Sequence, residues 1–181
     1  TVFHTAAGRE VRDGGGISPD KEVKSEKFPN ILFYLVNDNL IFDYATDYCL
    51  KHPSIVSVEE FKVTDEDYNE FKEKVKKADF KYDRQSEKVL KNLKEVAEFE
   101  GYMDDASEEF KALENKLKHN LDRDLDHFAK DIKLLIAQEI IKRYYYQAGA
   151  IKEQLKSDDD VEEALKILND RPEHQKLLAG K

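Results

Sequence analysis

Three groups of residues in this 181-residue chain have side chains of the types that do chemistry. Ser54, Ser86 and Ser107 all have lysines within a few positions, and a serine hydroxyl deprotonated by a lysine amine is a nucleophile for acyl transfer. Lysine is so frequent here that such proximity defines no pair, and no catalytic residue is expected. His119 and His127, with Asp122, Asp124 and Asp126 between them, offer imidazole and carboxylate ligands. A metal needs its ligands to meet at one point, whereas these residues fit a charged, solvated helix face. Asp158, Asp159 and Asp160 lack the spacing and distal Glu of a calcium loop and fit negative charge at a helix N-terminus. Gly14-Gly15-Gly16 lacks the Gly-Lys-Ser/Thr ending and the immediate helix of a phosphate-binding loop. No metal and no cofactor are expected.

The composition narrows the partners. Charged residues make up 38% of the chain and apolar residues 40%, with only seven Gly and four Pro, the balance of a helix-rich protein with a real core. The net charge of -9 repels phosphate backbones, which argues against nucleic acid. Lys72, Lys74, Lys76 and Lys77 are interleaved with Glu70 and Glu73 and are expected on a solvated helix face. Cys49 is the sole cysteine and lies in an apolar stretch, where it reads as a small buried hydrophobe. No run approaches the roughly 20 apolar residues of a membrane span.

The elements that must position these residues can be placed from pattern. Thr1 to Thr5 and Glu10 to Arg12 are strand-like around a turn at Ala6, Ala7 and Gly8. Phe28 to His52 reads as the most buried helical stretch, with a break at Asn37, Asp38 and Asn39 and a stop at Pro53. Thr64 followed by three acids is a helix start, and that helix should run to about Ala78. Between Arg84 and Tyr102, the set Val89, Leu90, Leu93, Val96 and Ala97 is spaced to face a core. The next helix opens near Asp104 with the stripe Phe110, Leu113, Leu117 and Leu121. The strongest stripe, Leu125, Phe128, Ile132, Leu135, Ile136 and Ile140, leads into Tyr144, Tyr145 and Tyr146. Gly149 reads as a joint, and Ser157 with the aspartates opens a last amphipathic helix that ends at Arg171-Pro172, with one further turn at Leu177 and Leu178. The fold class is therefore mainly α, a helical bundle or irregular all-α array behind a short β-hairpin-like segment.

Thr5-Ala6-Ala7-Gly8-Arg9-Glu10-Val11, then Gly14-Gly15-Gly16-Ile17-Ser18-Pro19-Asp20 and Val23, resembles the end of the catalytic core in carboxyl-terminal processing, or tail-specific, serine proteases. Gly8, Arg9, Gly14, Gly15, Gly16, Ile17, Pro19 and Asp20 carry the match as structural residues, while Phe3 or His4 stands where the family has Tyr. Ile41-Phe42-Asp43-Tyr44-Ala45 and Arg143-Tyr144-Tyr145 resemble the helical C-terminal extension of the Bacteroidetes-type members. The resemblance implies that residues 1–27 end the protease core and 28–181 form a helical C-terminal domain. It also implies a Ser nucleophile, a Lys base and a PDZ segment upstream, since no position here matches their motifs.

A chain opening at Thr1 without Met fits a fragment, with the hairpin left over from that core. The partners implied are the missing protease core and PDZ segment, protein or peptide substrates through the parent, and a further copy in a homo-oligomer. The compartment implied is the periplasm or cell envelope. Three consecutive aromatics on a helix point three ways, and one of Tyr144, Tyr145 and Tyr146 is expected to contact the missing core or another subunit. The alternative is a stand-alone helical module that binds a protein partner and has no protease role.

Overall fold

The computed structural model describes residues 1–6, 8, 10–13, 19–24 and 28–179. Of the motif residues, Arg9, Gly14, Gly15, Gly16 and Ile17 lie outside them. The fold is mainly α, as the periodicities indicate. It divides into two compact units: Phe28–Glu153, and a second made of Thr1–Lys27 with Gln154–Lys181.

In the first unit, α1 (Asn30–Asn37) and α2 (Leu40–Lys51) are separated at Asp38 and Asn39. Asn39 takes a left-handed conformation with φ of 60°, which Asn tolerates better than most residues. Thr64 then caps α3 (Asp65–Lys77): its Oγ1 accepts from the Asp67 N–H at 3.1 Å, and Asp67 Oδ2 accepts from the Thr64 N–H at 2.9 Å. An extended link leads to α4 (Gln85–Phe99), and Gly101 turns the chain with φ of 83° into α5 (Met103–Lys116). The long apolar stripe is split by Phe128 into α6 (Leu121–His127) and α7 (Ala129–Leu155).

One core joins α1, α2, α3, α6 and α7 with the connector residues Val58, Phe61 and Val63. Leu35, Phe71, Leu125, Ile132, Ile136 and Ile140 are sealed from solvent at its centre. Neither α4 nor α5 contributes to this core. In α4 only Leu90 and Ala97 are buried, and in α5 no residue is. The stripes expected to face a core are therefore largely open, because each of these helices covers only one edge of the other's apolar face.

Hydrogen bonds from buried tyrosines tie the elements together. Tyr44 donates to the Asp67 carbonyl at 2.7 Å and Tyr68 to the Leu125 carbonyl at 2.6 Å. The lysines of α3 do more than cover a solvated face. Lys72 reaches Asp126 at 2.8 Å, Lys76 reaches Asp122 at 2.6 Å, and Asp65 receives Lys133 at 2.6 Å. These rungs set α3 antiparallel to α6 and the start of α7, and Lys74 reaches back to Asp47 of α2 at 2.6 Å.

The bend in α7 is not at Gly149 but at Tyr146, whose φ of 56° and ψ of -161° interrupt the helix. Gly149 serves close approach instead: a Cβ there would lie 2.4 Å from Tyr145 Cβ and 2.9 Å from Ile141 Cγ2.

In the second unit, β1 (Val2–His4) and β2 (Glu10–Arg12) pair antiparallel with Phe3 opposite Val11. Gly8 closes the turn with φ of 82° and an N–H bond to Thr5 at 2.8 Å. Asp158, and not Ser157, caps α8 (Asp159–Asn169) by accepting from Val161. Pro172 begins a further helix, α9 (Arg171–Leu178), capped by Asp170; proline suits a first turn because its missing N–H is unpaired there anyway. Pro19 and Asp20 precede Lys21, which pairs with Glu163 of α8 at 3.4 Å.

Candidate functional site

The described serines have no common surroundings. Ser57 donates to Glu60 Oε2 at 3.2 Å, and the buried hydroxyl of Ser157 has no partner among the described residues. Ser54, Ser86 and Ser107 belong respectively to the connector after α2, the first turn of α4 and the first half of α5, three separate places in the chain.

The His and Asp residues in and just before α6 have different partners. Asp122 and Asp126 are taken by the α3 lysines. Asp124 accepts from the Tyr82 hydroxyl at 2.8 Å, with Arg84 at 3.9 Å and His119 Nε2 at 3.7 Å. Burial, reinforced by that hydrogen bond and the carboxylate's charge, raises the Tyr82 pKa. His127 instead stacks edge-on against Phe128. Among the described residues no group of three or more His, Cys, Asp or Glu is placed to hold a metal ion. No helix among them is long and apolar enough to cross a membrane.

What the fold does build is a lock between α2 and α7. The Arg143 guanidinium donates through Nη1 to the Glu139 carbonyl at 2.7 Å and to Glu139 Oε1 at 2.8 Å. Through Nη2 it reaches the Phe42 carbonyl at 3.1 Å and Thr46 Oγ1 at 3.0 Å, while its carbon lies 4.6 Å from the Phe42 ring centroid. A planar fork with five donors can serve all these acceptors and stack as well, which an ammonium cannot. The two stretches around Phe42 and Arg143 thus meet in space.

The neighbouring tyrosines divide by environment. Tyr144 is half-buried, donates to the His52 carbonyl, and is pushed up to about 12 by burial and by its contact with Cys49. Cys49 itself is half-buried against the core. Tyr145 donates to the Val56 carbonyl at 3.1 Å and keeps one face in solvent. Tyr146 is 78% exposed at the bend. The lock fixes α2 against α7, and at the edge beyond it Tyr146 is left in solvent.

A second open surface lies on α4, where Val89, Leu93, Val96 and Phe99 face solvent. The apolar spacing marked these residues, but nothing local in the sequence told a covered stripe from an open one.

A family model described as "Probable PDZ-protease, C-terminal helical domain" matches residues 31–168, which is most of the chain. No curated protein and no solved structure matched it.

Proposed function

Because this chain belongs to the family of C-terminal helical domains of probable PDZ-proteases, we propose that it is a non-catalytic positioning domain of a serine-type carboxyl-terminal processing protease. In this reading a PDZ segment captures substrate tails, and a Ser nucleophile with a Lys base, both upstream, hydrolyse the peptide bond. The compartment is the periplasm or cell envelope. The helical domain packs on the catalytic core and orients it.

The observation that supports this reading most is the outward-facing Tyr146, three residues along the chain from the Arg143 lock. Aromatic side chains are enriched among the residues by which protein surfaces anchor one another. Tyr144 packs against the core and Tyr145 is tied to the Val56 carbonyl, leaving Tyr146 to reach a partner. The hairpin of β1 and β2 belongs with that core as an extension of its sheet, since a lone two-stranded hairpin has little stability of its own.

The coding sequence upstream of Thr1 should specify a PDZ segment and a Ser/Lys core. Expressed without that core, the chain should hydrolyse no peptide, and turnover abolished by replacing one of its own serines would overturn the proposal. Added to the separately expressed core, it should bind, and Tyr146→Ala should weaken that binding about tenfold, on the scale of an aromatic anchor. Binding only to unrelated proteins would favour the stand-alone interaction module instead.

A further inference from the structure

The exposed face of α4 has an order that simple exposure does not explain. Gln85, Val89, Asn92, Val96 and Phe99 follow one another at spacings of four, three, four and three, the repeat that keeps a seam against a partner helix. Along this seam Val89 is 57%, Val96 43% and Phe99 92% exposed, with Leu93 beside it at 50%. The chain's own α5 lies against the other edge of the helix, where Leu90 and Ala97 are buried and Lys94 pairs with Glu114 at 3.0 Å. Asn92 is the middle residue of the seam, with Val89 three residues before it, Val96 four after, and Gln85 and Phe99 seven away at the two ends.

The flanking charges state which kind of partner fits. Lys88 and Glu95 occupy equivalent positions along one margin of the seam, one on each side of Asn92. In an antiparallel pair of identical helices that margin meets itself reversed, so Lys88 faces the partner's Glu95 and Glu95 faces the partner's Lys88. A parallel pair would instead set Glu95 against the partner's Glu100. Asn92 falls on the two-fold axis, where a carboxamide, being both donor and acceptor, satisfies its own copy. A polar residue in the middle of an apolar seam fixes register and partner number in helix pairing.

We propose that α4 pairs antiparallel with α4 of a second copy of this chain, about a two-fold axis at Asn92. The present contacts of Lys88 with Asp83 at 2.6 Å and of Glu95 with Lys91 at 4.0 Å are exposed and easily exchanged. The pairing is independent of docking on a catalytic core, because it uses α4 and not the α7 bend.

Sedimentation equilibrium of the 181-residue chain should show a reversible dimer with a Kd on the order of tens of micromolar. Val96→Asp should leave a folded monomer, its helical circular dichroism unchanged. Lys88→Glu and Glu95→Lys should each weaken the dimer about tenfold, since each sets like charges against one another twice across the axis. The double variant K88E/E95K should recover wild-type affinity. A monomer at every concentration, a dimer indifferent to Val96→Asp, or a double variant no tighter than the singles would each overturn the pairing. Capture of a separate catalytic core reads the docking proposal on its own, so either can fail without the other.

Discussion

Arg143 serves a carbonyl and a carboxylate of Glu139, a carbonyl of Phe42, a hydroxyl of Thr46 and the face of an aromatic ring. Lysine in its place keeps the charge but cannot span these acceptors. Arg143→Lys should therefore lower the unfolding free energy by about 1–2 kcal/mol, read from urea midpoints at constant m; an unchanged midpoint would show that the lock is idle. A second expectation concerns the phenols. Burial raises the pKa values of Tyr44, Tyr68 and Tyr82. In the unfolded chain they lose protons at about pH 10, so the folded state holds protons that the unfolded state releases. Their stabilising effect is complete below that pH and is lost as pH rises through the folded-state values. The urea midpoint should fall above about pH 10, and replacing the three by Phe should flatten that fall. The side-chain chemistry was legible in part: Phe42 and Arg143 stood out in sequence, but they lie on α2 and α7, and their meeting depends on packing that no local pattern encodes.

The end of α7 supplies a pair of substitutions with opposite expected signs. Ala is a better helix former than Gly by about 1 kcal/mol, yet Gly149→Ala should destabilise by roughly 1–3 kcal/mol because its methyl has no room beside Tyr145 and Ile141. Tyr146 holds a backbone conformation that suits glycine, at a cost on the order of 1–3 kcal/mol, and its ring is largely in solvent. Tyr146→Gly should raise the thermal midpoint, a net gain of roughly 1 kcal/mol after glycine's extra freedom in the unfolded chain is subtracted. The same change removes the proposed anchor, so stability and docking should move in opposite directions. Such strain is not written in composition: Gly149 drew the expectation of a joint because glycine permits one, while the actual bend falls on a residue that resists it. Where the decisive interaction is short in range, the sequence was readable. The Thr64 cap and the break after Asn37 are cases of this, since a side chain and its own backbone suffice to make them. The stripes of α4 and α5 were recognised as apolar, but whether a stripe is covered depends on helices elsewhere in the chain.

Across the unit Phe28–Glu153, the core is built by helices far apart in sequence, with Tyr68 of α3 bonded to Leu125 and flanked by Lys72 and Lys133 at 5.8 and 5.4 Å from its ring centre. Apolar burial supplies the drive for this assembly but little sense of position, because Phe71 and Val75 are accepted by many arrangements of greasy neighbours. The rungs between α3 and α6–α7 were missed at the sequence level, although Lys72 and Lys76 share the four-residue spacing of Asp122 and Asp126. Sliding α3 by one helical turn leaves one lysine–aspartate contact in place of two, and in one direction sets Lys72 against Lys130. The acids and bases are thus expected to act less as glue than as a test of alignment while the chain is still collapsing. Each rung is exposed enough to add little to equilibrium stability. In about 1 M salt, where charges are screened beyond about 3 Å, the unfolding free energy should therefore change little while refolding slows and acquires a second phase. Stopped-flow fluorescence of the tyrosines would resolve it, and single-phase refolding unaffected by salt would show that the lysines do not police register. A helix whose charges contribute little to its final stability can still owe them its arrival at the right place.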